Sequence, residues 1–252
     1  MKTLARLFII AVLLSSLFSC RKESSNEDVS YSLKVSFKIK ANGEPLSLNK
    51  KYFNALGEDF NVNQFKFYTS NFSLQKGTSV AKEKESYHLV DASNTATQSF
   101  IIKLANNKFS SISFWVGVDS ARNVSGAQAG DLDPAKGMFW TWNTGYIMAK
   151  LEGTSSFSTA TDNFFEYHIG GFKANEKTQR FINLSFPGGK ELALEKNKVK
   201  ELVIEADLDK WFSGVHQLPI SAQATWMTPG GLALKYADNY ATMFTATAII
   251  EQ

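Results

Sequence analysis

The feature that most constrains the fold is an alternation of apolar and polar residues with a period of two. In "SLKVSFKIK", Leu33, Val35, Phe37 and Ile39 interleave with Lys34, Ser36, Lys38 and Lys40. Successive side chains of a strand point to opposite faces, so this segment has one apolar face and one wet face. The pattern returns in "SISFWVGVD", where Ile112, Phe114, Val116 and Val118 share a face, and in "ELVIEADLD", with Leu202, Ile204, Ala206 and Leu208. Further runs are "FKFYTSNFSL", "YIMAKLEG", "FFEYHIGG", "RFINLSF" and "YATMFTATAII". Between them lie "ANGEP", "LANN", "GDLDP", "PGG" and "TPGG", the residue types that reverse a chain. Helical signals are short, at "DKWF" (209–212) and in "LNKKYFNAL". Many strands without long helices predict an all-β fold, an antiparallel β-sandwich with short helical turns.

The N-terminus obeys a different rule. In "MKTLARLFIIAVLLSSLFSC", Lys2 and Arg6 precede an apolar run that ends in small and apolar residues. It reads as a secretory signal, too short and wrongly flanked to span a membrane. The closing "LFSC" resembles a bacterial lipobox, which implies that Cys20 is lipidated and becomes the mature N-terminus. The expected organisation is a signal over 1–19, a lipidated tether over 20–30, whose "RKESSNEDVS" has little to bury, and a single domain over 31–252. The protein is then expected in the cell envelope, attached to the membrane by lipid alone. Arg21 stands where an aspartate is associated with inner-membrane retention in some bacteria, which favours the outer membrane, facing periplasm or exterior.

Cys20 is the only cysteine, which excludes an intramolecular disulfide, a CxxCH haem attachment and a cysteine-rich zinc site. Removal of Lys2 and Arg6 with the signal leaves 25 of the 27 basic residues against 24 acidic ones. No basic block is interleaved with aromatics, so nucleic acid is not an expected partner. With 44% hydrophobic residues, the chain can fill a core without cross-links.

No GxSxG, HExxH, GxxxxGK[ST] or GxGxxG motif occurs, and spacing names no nucleophile and base; the chain is not expected to be an enzyme. Asp119, Asp131 and Asp133 offer oxygens suited to calcium, but without EF-hand spacing, and aspartate is also an ordinary turn former. His168 in "EYHIGG" falls on the strand face opposite Phe165, Tyr167 and Ile169. It is either a solvated residue or part of a site, since Gly170 and Gly171 admit a close neighbour. His216 in "GVHQLP" reads as a surface-loop residue. In "GMFWTWNTGYIMAKLEG", an extended chain lines up Met138, Trp140 and Trp142 on one surface. Core packing is one explanation; the other is a site at the strand's exposed end, beside the turn "GDLDPAKG".

Taken together, "FKFYTSNFSL", "YHLVD", "FWVGVD", "GDLDPAKGMFWTWNTGYIMAKLEG" and "FFEYHIGG" resemble the MbnP-like family of secreted copper-associated proteins. The resemblance implies a β-sandwich lipoprotein or periplasmic protein that binds copper. It also implies a partner, a di-haem enzyme of the MauG and cytochrome c peroxidase type that oxidises a tryptophan of this protein to kynurenine. Cu(I) is soft and favours thioether and imidazole donors, and with Cys20 lipidated these are Met138, Met148, Met227, Met243 and the three histidines. An indole nitrogen only donates; opening its ring yields an aniline nitrogen that can coordinate. Carried onto this chain, the resemblance implies Trp140 as the oxidised residue with Trp142 as second choice, and His168 as a ligand. His88 is the implied second imidazole and Met138 the thioether alternative. A competing reading is a carbohydrate-binding module that stacks sugars on Trp140 or Trp142 and ignores metal.

Overall fold

The computed structural model describes residues 30–251 apart from 84, 127, 143 and 144; the signal segment and Cys20 lie outside the described residues. The first alternating run becomes β1 (Tyr31–Ala41), with Leu33, Val35 and Phe37 fully buried and Lys38 exposed. The other principal strands, in chain order, are β2 (Asp59–Lys76), β3 (Tyr87–Asp91), β4 (Ser99–Leu104), β5 (Ser111–Val116), the two-residue β6 (Phe139–Trp140) and β7 (Gly145–Thr154). They are followed by β8 (Phe164–Gly170), β9 (Arg180–Ser185), β10 (Val199–Asp207) and β11 (Phe244–Glu251).

Two sheets face each other across the main core. One, with five strands, runs β11–β10–β1 and carries β4 on the far side of β1. The other, with ten, runs β9–β5–β2–β7–β8, with β3 attached to β2 and β6 to β7. Their inner faces interlock through aromatic rings: Phe37 of β1 meets Phe67 of β2 and Phe114 of β5 at centroid distances of 5.6 and 5.9 Å, and Phe244 of β11 meets Phe67 at 5.5 Å. The fold is all-β as expected, but β1 and β10 pair in parallel, from Ser32 with Val199 to Lys40 with Asp207. Hairpin neighbours must be antiparallel, whereas strands that meet after a long excursion are free to run either way.

The three α-helices among the described residues are short: α1 (Ser120–Asn123), α2 (Asp209–Ser213) and α3 (Leu232–Ala241). α2 forms where "DKWF" predicts it. "LNKKYFNAL" instead gives turns and the short strand Lys51–Phe53. The alternation expected from Tyr240 begins only at Phe244, because Tyr240 and Ala241 close α3. That helix buries Ala233, Tyr236, Ala237 and Tyr240, the spacing of one helical face. Beside it, buried Glu58 receives hydrogen bonds from Asn54 Nδ2 (2.9 Å), Ile220 N (2.7 Å), and Ser221 N and Oγ (3.0 and 2.6 Å), which fastens two loops together. Burial pushes this carboxyl up, but the bonds from Ser221, Asn54 and Ile220 outweigh it and hold the group below its usual range.

The ten-stranded sheet is also covered on part of its outer face. There the segment joining β5 to β7 folds back through α1, two 3-10 turns (Gly130–Leu132 and Pro134–Lys136) and β6. It closes a second, smaller apolar cluster of Tyr68, Leu89, Val118, Leu132, Met138, Trp140, Tyr146, Ile147 and Met148.

Candidate metal centre

This outer cluster is built on an irregularity in β7. Ala149 and Leu151 point into the main core, but the register shifts between Ile147 and Ala149, and Tyr146, Ile147 and Met148 all join the outer cluster. The Val118 N–H donates to Met148 Sδ at 3.1 Å. Gly117 makes room for that sulfur: its φ is +111°, and a Cβ there would stand 2.9 Å from Sδ. The hydroxyls of Tyr68 and Tyr146 donate to the carbonyls of Asp131 (2.9 Å) and Leu132 (2.7 Å) and tie the covering segment to the sheet.

Of Met138, Trp140 and Trp142, the first two pack into one cluster as expected, whereas the chain turns at 141–142 and takes Trp142 out of it. Met138 and Trp140 are buried rather than at a rim, Trp140 being 5% exposed. Trp142 stands outside at 63%, its ring 5.4 Å from that of Trp140. Trp140 presses onto β8 at Gly170, where a Cβ would come 2.7 Å from an indole carbon and 2.9 Å from the Tyr146 carbonyl oxygen. The close neighbour is therefore an indole at Gly170, and at Gly171 it is the backbone carbonyl of Glu176. Trp140 Nε1 is buried and has no hydrogen-bond partner among the described residues.

His168 lies two residues before Gly170 on the same outer face, so it sits roughly 7 Å along the strand from the point that Trp140 covers. Its Nε2 is 2.7 Å from Glu152 Oε1, and Lys150 Nζ is 3.3 Å from the same oxygen. Glu166, the carboxylate nearest in sequence, is not the partner. The His168 hydrogen bond holds the Glu152 carboxyl below its usual range against the opposing effect of burial, with help from Lys150. A carboxylate on one ring nitrogen fixes the imidazole's orientation and leaves the other free to coordinate, which is how many metal-binding histidines are held. Lys150 and Glu152 were missed in the sequence, although alternation in "YIMAKLEG" places both opposite Leu151.

His88 is not brought to this group. In β3, Leu89 enters the outer cluster while Val90 enters the main core, and His88 shares the parity of Val90. Its ring stacks on Phe100 of the facing sheet at 3.5 Å, with Nε2 3.3 Å from Glu83. His88 and His168 thus belong to opposite faces. His216 pairs with Asp238 at 2.9 Å. Met243 is buried in the main core and Met227 is exposed.

The three candidate calcium carboxylates each serve a local bond. Asp119 accepts from the Tyr87 hydroxyl and from Arg122 N, Asp131 from Leu89 N (3.0 Å) and Lys136 Nζ (2.6 Å), and Asp133 from Ala135 N (2.9 Å). No group of three or more His, Cys, Asp and Glu that could hold a metal occurs among the described residues. Of the soft donors, Met138 and Met148 pack in one cluster, Met148 Sδ accepting from Val118 N, and His168 lies on the same outer face of the sheet. That chemistry fits Cu(I) rather than a hard cation.

A two-sheet sandwich with a capped outer face defines the class, and comparison with known proteins supplies the family. The MbnP family profile matches residues 30–228, and the chain belongs to that family. MbnP from Methylosinus trichosporium has a similar fold, with a TM-score of 0.56 at 11% identity, over 88% of this chain and 99% of that one. Comparison with curated proteins gives no match. The MbnP family is associated with methanobactin-related copper handling.

Proposed function

We infer that this protein binds copper in the cell envelope and is the substrate of a di-haem enzyme of the MauG and cytochrome c peroxidase type, which converts one of its tryptophans to kynurenine. The observation that carries this reading is the buried, unpartnered indole N–H of Trp140, in a cluster with Met138 and Met148 and beside the Glu152–His168 pair. As an indole, that nitrogen has no lone pair to offer a metal. Cleavage of its C2–C3 bond by two equivalents of peroxide, each reduced to water, inserts two oxygens and gives N-formylkynurenine. Hydrolysis releases formate and leaves an aniline nitrogen that coordinates. With the His168 imidazole and the thioethers, it forms a donor set suited to Cu(I). Trp142, exposed and 5.4 Å from Trp140, supports the reading by offering a partner a surface indole. The reading also takes lipidated Cys20 as the tether to the outer membrane.

The test uses protein isolated from its own host, with the oxidase expressed: peptides containing Trp140 and Trp142 are weighed and copper is quantified, in the wild type and in His168→Ala. Kynurenine at one of the two positions, stoichiometric copper, and loss of copper in the variant are expected. Two intact tryptophans without copper overturn the reading. Full copper in His168→Ala removes His168 from the site.

A further inference from the structure

A second recess borders the methionine cluster, for Gln179 on its wall and Met148 both pack against Gly117. A recess of about 90 Å³ opens between the β2 irregularity at Ser70–Ser73, β5 and the segment entering β9; Asn71, Trp115, Asp119, Lys177 and Gln179 line it. Gln179 is 5% exposed, and its Nε2 donates to the Val118 carbonyl, leaving Oε1 buried without a partner among the described residues. Flipping the amide would cost the Val118 bond, so Gln179 is fixed as a closed wall of the recess, with Oε1 turned out of reach of solvent. Lys177 makes no ion pair among the described residues, and Asn71 is held in the left-handed region at φ +53°. Trp115, 37% exposed, stands at the mouth, with its cross-strand partner Phe181, 55% exposed, at 5.4 Å.

These groups select against charge of either sign. The Asp119 carboxylate is already bonded to the Tyr87 hydroxyl and to Arg122 N, so it is poorly placed to recruit a cation, and Lys177 repels one. An anion drawn by Lys177 would meet the Asp119 carboxylate. A hydroxyl suits both, because it donates to a remaining lone pair of the Asp119 carboxylate and accepts from the Lys177 ammonium. The recess has room for a few water-sized groups, which matches the hydroxyls along one edge of a pyranose. The exposed indole beside it offers a flat apolar surface for the ring's C–H face.

We propose that this recess binds the edge of a neutral sugar ring that stacks on Trp115, with Phe181 extending the platform toward a second ring. The recess shares no lining residue with the Met138, Met148, Trp140 and His168 group, although Gln179 and Met148 both pack against Gly117, and the proposed sugar contacts do not involve copper. The mature protein, isolated from its host, is titrated with glucose, galactose, mannose, N-acetylglucosamine and their β-linked disaccharides, followed by calorimetry and tryptophan fluorescence. Saturable binding to at least one of them is expected, weakened roughly tenfold by Trp115→Ala and unchanged by Trp142→Ala. Lys177→Ala, which leaves the aromatic platform intact, is expected to weaken it too. Absence of saturable binding to every sugar overturns the proposal, as does binding that Trp142→Ala removes and Trp115→Ala spares.

Discussion

Trp211 and Trp140 both carry a buried indole N–H with no partner among the described residues, and they lie on opposite faces of one sheet. Trp211, on α2, is surrounded by aromatic rings: Tyr236 at 5.5 Å, Phe65 at 6.0 Å and Tyr240 at 6.1 Å. Trp140 has thioethers in its cluster, a carboxylate-bound imidazole nearby and an exposed indole at 5.4 Å. The same unsatisfied donor is thus a packing cost in one place and a candidate centre in the other. What differs is the softness of the neighbours and the route to the surface, so the two sites should respond oppositely to substitution.

The largest effect is expected at Trp211. Replacing a fully buried tryptophan in a close-packed core by alanine costs about 3–5 kcal/mol, so the urea midpoint of Trp211→Ala should fall steeply. The fraction that remains folded should bind as much copper as the wild type. A Trp211→Ala protein of near-wild-type stability, or one that folds but loses copper, breaks the contrast between the two faces.

Gly170→Ala tests the outer face with a single methyl. The new Cβ would meet the Trp140 ring at 2.7 Å and the Tyr146 carbonyl oxygen at 2.9 Å, so the indole must move. Overpacking of this kind costs about 1–3 kcal/mol, less than the Trp211 cavity, yet copper content should drop because Trp140 is displaced from beside His168. Retention of full copper in this variant would show that the indole's seat on β8 is irrelevant to the metal.

Legibility followed the same divide. The inner strands were readable because a half-buried strand writes its face into every second residue, as Leu33 to Ile39 do. Strand direction leaves no such trace, so the parallel pairing of β1 with β10 was invisible. α3 was masked because the end of its helical stripe, Tyr240, also begins an alternating run. At the site, period two was extended too far: Met138, Trp140 and Trp142 alternate in sequence, but the chain is extended only at Phe139 and Trp140. The parity that moves His88 to the inner face is present in "YHLVD", yet only the location of Leu89 and Val90 reveals which parity is inside. The choice of thioether and imidazole donors came from the family resemblance rather than from any periodicity in the sequence.

The smallest expected effect concerns the charge that holds His168. In the folded protein the Glu152 carboxyl lies below its ordinary range because His168 bonds to it, against burial and with support from Lys150. A depressed carboxyl stabilises the fold above its unfolded value, roughly 4.3, and this stabilisation disappears as pH falls through the lower folded value. Glu152→Gln keeps an acceptor for the imidazole but removes the charge, so it should cost about 1 kcal/mol at pH 7 and progressively less below pH 4. Urea unfolding at pH 7, 4.5 and 3 reads the difference directly. An offset of the same size at all three values would mean that Glu152 acts through shape rather than charge. Glu152→Ala then separates the two roles on the functional side: removing the acceptor frees the imidazole to rotate, so copper should weaken there more than in Glu152→Gln. Equal copper binding in both variants would leave the pair as a surface ion contact, no different in kind from His216 with Asp238.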